Sequence, residues 1–413
     1  MDITIISPVY PPELVLSAQT NAQIAAAALA QSESVTVITA FPNRPEGRLY
    51  PGYHRKVYRK SILSERHSII RCFSTFSQNS YILSRFVENI SFGITSSLAL
   101  LFNKSPDVIY ANTWPVFAQG LTCLVARLRH IPLILSIQDV YPESLATQGR
   151  ISSSSLLYKI IHWLDRGISR FADKLIVISD RFAKIYTEDR RIPRGNIHTI
   201  PNWVDPENIE LLPKNQYRLK NNIPTNTFVF GYGGNIGAAA GVEKVIQAFA
   251  SISNKEIYLV IAGDGSCRKA CQNLVQQLGL NNVIIHSPWL SDETSEVLAT
   301  ADVLILPTGG DQSLASVPSK ILNYMLASRP ILAIASTESD TAEVIQKAGC
   351  GWLTPPDNPE ELENKMKEIL KTPSDQLLRL GHSGREYALQ YFAIEVCLPR
   401  VIDIIRTMRD DNG

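Results

Sequence analysis

This 413-residue chain has no cysteine framework, no apolar run of membrane-spanning length and no surplus of one charge. Each absence narrows what it can be. The six cysteines are scattered and none forms a Cys-x-x-Cys pair. Cys267 and Cys271 stand four apart on an expected helix with no histidine nearby, so no zinc set is expected. Thiols without a framework fit a reducing, cytoplasmic compartment. The longest apolar candidate, Ile90–Phe102, lies between Glu88 and Lys104. It falls short of the roughly 20 apolar residues that a bilayer span needs. It reads first as a buried helix and second as a helix lying on a membrane surface. The N-terminus runs from Asp2 straight into a strand, without the basic and apolar leader of a secretory signal. A net charge of +1, from 40 basic and 39 acidic residues, excludes a chain that is basic throughout and wraps nucleic acid. There is no Gly-x-Ser-x-Gly elbow, Walker loop, zinc-protease motif or kinase signature, and no short repeat.

What is present is globular composition, with 45% apolar and 19% charged residues. The length suggests two or three domains. The near-zero charge hides an asymmetry. Met1–Asp205 carries 22 Lys and Arg against 15 Asp and Glu, whereas the remainder carries 18 against 24. The basic excess concentrates in Arg44–Arg71, which reads either as a solvated loop face or as a patch for an anionic membrane or phosphate-bearing partner.

Short apolar runs alternate with helical patterns. Strands are expected at Asp2–Ser7, Ser34–Ala40, Ile69–Cys72, Val108–Tyr110, Leu133–Ile137, Lys174–Ser179 and His198–Ile200. The pattern restarts at Phe228–Tyr232, Ile257–Ala262, Val283–His286, Val303–Leu306 and Ile331–Ala335. Continuous β-branched runs indicate strands buried on both faces, as in parallel sheets with crossover helices. Two such series make two doubly wound α/β domains. Pro201–Thr227 is rich in Pro and Asn and reads as the boundary and hinge. The chain ends in helices, the last with an apolar stripe through Val396, Leu398, Val401, Ile402, Ile405 and Met408.

Ligands of open α/β sheets sit beyond the carboxyl ends of strands, so the loops there carry the candidates. Gly231-Tyr-Gly-Gly-Asn-Ile-Gly237 follows a strand, and Gly233 and Gly234 permit close backbone approach. A tight turn without ligand is the alternative. Gly263-Asp264-Gly265 follows the next strand, as a turn or as a second ligand loop. Val317-Pro-Ser-Lys320 reads as a helix N-terminus suited to a diphosphate, with Lys320 as a point charge or as a surface residue turned away. Gln138-Asp139 follows the strand Leu133–Ile137, with Glu143 nearby. These carboxylates suit orienting or deprotonating a hydroxyl, or capping a helix.

Together these loops resemble the GT-B-fold, family 4 retaining glycosyltransferases, in the bacterial branch that builds O-antigen, capsule and colanic-acid-type polysaccharide, with the fucosamine-transferase-like enzymes. The N-terminal markers are Ser-Pro-Val-Tyr-Pro-Pro-Glu13, Val-Thr-Val-Ile-Thr-Ala-Phe-Pro-Asn-Arg-Pro-Glu-Gly47, Gln-Asp-Val-Tyr-Pro-Glu143 with Gly149, and Ile-Pro-Asn-Trp-Val-Asp205. The C-terminal markers are Gly-Gly-Asn-Ile-Gly237, Ala-Gly-Asp-Gly265, Val-Pro-Ser-Lys-Ile-Leu-Asn-Tyr-Met325 and Arg-Pro-Ile331. The resemblance covers essentially the whole chain. It implies two Rossmann-like domains facing across a cleft: residues 1–205 for the acceptor, 206–390 for a nucleotide-diphosphate sugar, and 391–413 as a helix crossing back to the first domain. It implies metal-free transfer with retention, in the cytoplasm or at the cytoplasmic face of the membrane. The donor would be a UDP-sugar in preference to a GDP-sugar, without a separate cofactor. The acceptor would be a lipid-linked or soluble glycan, and the basic N-terminal domain would lie against the membrane.

By this resemblance Gly233, Gly234 and Asn235 would contact donor phosphates or sugar, and Gly263, Asp264 and Gly265 would lie beside the nucleotide. Ser319 and Lys320 would bind diphosphate and Asn323 the ribose. Asp311 would read sugar hydroxyls and Asp139 would orient the acceptor. The sequence also departs from the family pattern. Asn323 and Ala315 stand where a Glu-x7-Glu pair is usual. Asn235 and Ala240 replace an Arg and a Lys, and Gln138 replaces a His. The paired glycines usual after the first strand are absent from Leu14–Asn21. These departures keep two rivals in view: a degenerate, non-catalytic scaffolding subunit, and a GT-B sugar-nucleotide epimerase.

Overall fold

The computed structural model describes residues 1–77, 82–112, 116–147, 149–308 and 318–410. It divides into two compact units, Met1–Pro201 joined by the chain from Cys397 onward, and Asn202–Val396.

The first unit holds strands β1 (Asp2–Ile6), β2 (Ser34–Ala40), β3 (Tyr58–Ser64), β4 (His67–Cys72), β5 (Val108–Ala111), β6 (Leu133–Ile137), β7 (Lys174–Val177) and β8 (Ile197–Thr199). Its helices are α1 (Leu16–Ala30), α2 (Ile82–Phe102), α3 (Val116–Leu128), α4 (Glu143–Thr147), α5 (Leu156–Phe171) and α6 (Asp180–Glu188). The sheet order is β3-β4-β2-β1-β5-β6-β7-β8, parallel except for β3 against β4. Every residue of β5 and β6 is buried, which is why these strands read as unbroken apolar runs.

Two expectations change here. The basic stretch Arg44–Arg71 is not one loop, because Tyr58–Ser64 forms an exposed antiparallel edge strand. Nor is it uniformly solvated. Arg71 is buried and donates to the carbonyls of Ala40 and Pro11 at 3.0 and 2.6 Å. The second change is α2, which buries only one face. Phe92, Ser96 and Leu100 point into the unit while Ile94, Leu98 and Phe102 are exposed. No helix among the described residues is long and apolar enough to cross a membrane.

The second unit holds α7 (Asn215–Lys220), β9 (Phe228–Gly233), α8 (Val242–Ile252), β10 (Ile257–Ala262), α9 (Arg268–Gln277), β11 (Val283–His286), α10 (Thr294–Thr300), β12 (Val303–Pro307), α11 (Lys320–Leu326), β13 (Ile331–Ile334), α12 (Asp340–Ala348), β14 (Gly351–Thr354), α13 (Pro359–Ile369) and α14 (Ser374–Tyr391). Its all-parallel sheet runs β11-β10-β9-β12-β13-β14. The final helix, α15 (Ile394–Asp410), enters the first unit at Cys397. There Cys397, Val401, Ile402, Ile405 and Met408 are buried, and Arg400 donates to the Thr199 carbonyl at 2.7 Å.

Among the parallel strands the chain order reverses between β1 and β5 in the first sheet and between β9 and β12 in the second. Crevices at such reversals are where open α/β sheets bind ligands.

Candidate active site

The second unit's crevice opens because β9 and β12 part early. Their pairing covers only Phe230–Val303 and Gly231–Leu304. Beyond it, the backbone of Gly233 takes its partner from a side chain. The Tyr324 hydroxyl on α11 accepts from the Gly233 N–H at 2.8 Å and donates to its carbonyl at 3.0 Å. Tyr324 is 1% exposed, so this tie fixes α11 against the end of β9 in place of a sheet ladder.

Lys320, one helical turn before Tyr324, reaches the same place. Its ammonium donates to the Tyr232 hydroxyl at 2.8 Å and lies 4.6 Å from the centre of that ring. The Tyr232 hydroxyl donates in turn to the Asn235 carbonyl at 2.6 Å. No carboxylate pairs with Lys320 among the described residues. Burial lowers its pKa to about 8. The result is an uncompensated cation at the reversal point of the sheet, held by a phenol that also holds the glycine loop. A Cβ on Gly234 would come 2.9 Å from the Lys320 Nζ, so a side chain there would push the ammonium from this position.

The Gly-Asp-Gly loop supports this one. The Gly234 N–H donates to the Ala262 carbonyl, Ile236 to that of Asp264 and Cys267 to that of Ile236, at 2.8–2.9 Å. A Cβ on Gly263 would fall 1.9 Å from the Gly234 carbonyl oxygen, and one on Gly265 2.4 Å from that of Ile236. These two glycines are thus needed for backbone to meet backbone. Asp264 is exposed, accepts from the Gly265 N–H at 2.7 Å and pairs with Arg268 at 3.3 Å.

Gly233, Gly234, Asn235, Gly263, Asp264, Gly265 and Lys320 are therefore brought together around the ends of β9 and β10. Ser319 is exposed just ahead of Lys320, and Asn323 is half-buried three residues on, on the same helix face. The helix they open is only seven residues long and Ser319 makes no capping bond, so the local feature is the Lys320 cation rather than a capped N-terminus. Asp311 lies outside the described residues. Tyr232 and Tyr324 escaped the sequence reading. Tyr232 stands inside the quoted glycine loop, but nothing in its spacing signals that it meets Lys320.

Asp139 belongs to the first unit, just after β6, where burial raises its carboxyl to about 6. Nearby Tyr141 lines a cavity of about 400 Å³ at the strand ends, together with Arg44, Arg85, Glu88 and Arg150. Arg44 and Arg85 both bind Glu88, at 2.5 and 2.9 Å. Glu13 shapes this rim. It is 1% exposed and accepts from the N–H groups of Tyr10, Asn43 and Arg44 at 2.9–3.1 Å, tying the loop after β1 to the loop after β2. Burial pushes its carboxyl up to about 7 although those N–H groups pull it down. Glu143 is engaged elsewhere. It holds the fully buried Arg190 through two 2.7 Å bonds, with Asp165 on the same guanidinium at 2.9 Å. Its place in the Asp-Val-Tyr-Pro-Glu run is thus structural.

Residues 18–208 match the Glycosyltransferase Family 4 description, and residues 213–387 match Glycosyl transferases group 1. The chain belongs to the GT-B-fold family 4 glycosyltransferases. Among its relatives, WbjE of Pseudomonas aeruginosa, described as a glycosyltransferase, is 25% identical over 81% of this chain and 84% of its own. WcaI of Escherichia coli K12, named for colanic acid biosynthesis, is 22% identical over 96% and 98%. Among solved structures, Anabaena HepE in complex with UDP superposes with a TM-score of 0.71 at 15% identity, over 98% and 100% of the two chains.

Proposed function

We propose that this glycosyltransferase moves a sugar from a UDP-sugar to a glycan acceptor, with retention at the anomeric carbon, during cell-surface polysaccharide assembly. The observation that carries the donor reading is Lys320. A half-buried ammonium at the sheet reversal, with no carboxylate on it among the described residues, is stabilised by an anion that brings two negative phosphates to it. The Gly233–Asn235 loop would lie along the diphosphate and sugar, and Asn323 would offer its amide to the ribose. In the transfer, the acceptor oxygen bonds to the anomeric carbon as the bond from that carbon to the diphosphate oxygen breaks. The hydroxyl proton leaves with the diphosphate. Lys320 meets the charge that develops on the leaving group, so the step as drawn uses no metal. Asp139, at its raised pKa, would orient the acceptor hydroxyl from the first unit. The UDP preference is supported by the HepE complex, and the polysaccharide role by the name of WcaI. We place the reaction in the cytoplasm, in keeping with six cysteines that form no disulfide among the described residues.

The test is a melting-temperature panel with UDP, GDP, ADP and CDP, each with and without EDTA. A ligand that binds only the folded state raises the melting temperature once its concentration exceeds its dissociation constant. The expected result is a UDP-selective rise that EDTA leaves unchanged. A flat response to all four at millimolar ligand, with a cooperative melt, would overturn the donor assignment in favour of a scaffolding role. Turnover of the donor to another nucleotide sugar without acceptor would instead identify an epimerase.

A further inference from the structure

The cavity at the strand ends of the first unit has a lining that the transfer described above does not use. Phe86, Phe92, Phe117, Leu145 and Ile161 wall it, and its charged groups are three arginines, Arg44, Arg85 and Arg150, against one carboxylate, Glu88. A concave site that is mostly apolar takes its specificity from the few polar groups fixed in it. Of the three cations, Arg44 is held both by its backbone and by its side chain. Its N–H donates to Glu13 Oε1 at 2.9 Å, its carbonyl accepts from the Tyr50 hydroxyl at 2.6 Å, and its guanidinium donates to Glu88 at 2.5 Å. Arg150 is exposed, and Arg85 takes the other oxygen of Glu88 at 2.9 Å.

Two buried charges are committed to this arrangement. Glu13 collects the N–H groups of Tyr10, Asn43 and Arg44, while Arg71 on β4 collects the carbonyls of Pro11 and Ala40. Both clamps join the same two segments, the loop after β1 and the end of β2 with the loop that follows it. A buried carboxylate and a buried guanidinium each cost desolvation that apolar residues would avoid. Such a cost is in keeping with a loop that carries a group needing a fixed place. The group this loop carries into the cavity is Arg44. Glu88 does not neutralise it alone, because the same carboxylate also answers Arg85. The three side chains together leave one net positive charge against apolar walls.

An acceptor that fits such a site carries an apolar group and an anion side by side. A guanidinium held in one place meets a phosphate or carboxylate through its fork of parallel N–H groups. A cationic acceptor would face three arginines, and a neutral sugar chain would leave hydroxyls against phenylalanine rings.

We propose that Arg44 is a specificity-determining residue for the acceptor, reading an anionic group beside the apolar cavity, and that Glu13 is the positioning residue that sets it there. This rests on the first unit holding the acceptor of a transferase, and not on which nucleotide the donor carries.

The experiment is calorimetric titration of the full chain with four probes: octyl phosphate, 1-octanol, octylammonium and inorganic phosphate. Octyl phosphate is expected to bind about tenfold more tightly than each of the others, because it alone satisfies the walls and the cation together. Arg44→Gln should bring octyl phosphate down to the level of octanol, and Arg44→Lys should keep most of the difference. Glu13→Gln should lower the ratio of octyl phosphate to octanol affinity roughly fivefold, with octanol affinity itself within about twofold of the parent. A merely structural role would not move that ratio, since loosened packing weakens both probes alike. If Glu13→Gln does not melt cooperatively, Tyr50→Phe carries the test, with the ratio lowered about threefold. UDP should raise the melting temperature of each variant as it does that of the parent. The proposal is overturned if octyl phosphate binds no better than octanol, if inorganic phosphate matches it, or if Arg44→Gln keeps the preference. It is equally overturned if the ratio survives both Glu13→Gln and Tyr50→Phe. A flat response to every nucleotide diphosphate with the octyl phosphate preference intact would count against the transferase reading and in favour of the Arg44 site.

Discussion

The Lys320 ammonium donates to the Tyr232 hydroxyl at 2.8 Å while lying 4.6 Å from the centre of the same ring. One phenol therefore positions the cation and, through its bond to the Asn235 carbonyl, the glycine loop beside it. Removing only that oxygen separates the two roles from packing. Tyr232→Phe is expected to fold normally and to weaken UDP binding about tenfold, the scale of one hydrogen bond to a charged group. Calorimetric titration measures it, and an unchanged affinity would show that the phenol does not organise the site.

The depressed pKa of Lys320 makes binding pH-dependent. In the free protein the ammonium loses its proton and its charge above about pH 8, whereas a bound diphosphate favours its charged form. UDP affinity should hold below pH 8 and fall by up to tenfold per pH unit above it. The stability consequence has the opposite sense. Between about pH 8 and the unfolded value of 10.5 the unfolded chain binds more protons, so this residue contributes stability that rises with pH. Lys320→Met should therefore melt no lower than the parent at pH 7 while losing UDP binding. A melting temperature that falls with the substitution would contradict the uncompensated-cation reading.

Gly263 tests the loop-on-loop contact. Alanine there places a methyl 1.9 Å from the Gly234 carbonyl oxygen in a backbone conformation that side chains resist. The loops must separate, at a cost of about 3 kcal/mol. Denaturant unfolding should show that loss in the second unit, accompanied by weaker UDP binding. Retention of both would mean that the loops yield easily.

Arg190 tests the interior of the first unit. It is fully buried between Glu143 and Asp165, and Arg190→Leu leaves both carboxylates without their guanidinium. The first unit should lose roughly 3–5 kcal/mol. Calorimetry resolves this as one transition moving down while the UDP-dependent rise of the other persists.

The order of local elements was legible from residues alone where chemistry is short-range. Buried parallel strands need unbroken apolar runs, so Leu133–Ile137 and Ile257–Ala262 read correctly to the residue, as did the half-buried edge strand Val283–His286. Turn-forming glycines and prolines marked the loops between them, and their sequential motifs carried the family. Strand β3 did not read as a strand because all but Ser61 in it is exposed and a lone edge strand needs no apolar face. Helix α2 read as buried because its apolar content is high, yet composition cannot say which faces find partners. The roles of Tyr232, Tyr324 and Arg190 were equally hidden. Lys320 and Tyr232 stand 88 residues apart, and Tyr324 and Gly233 91 apart, so only the folding of one sheet brings them together. Sequence by itself determined which segments could form strands, helices and glycine turns, since those depend on neighbours along the chain. Tertiary structure alone decided which cation, among the described residues, meets a phenol in place of a carboxylate and which face of α2 is exposed, because both depend on what distant segments bring to the same place.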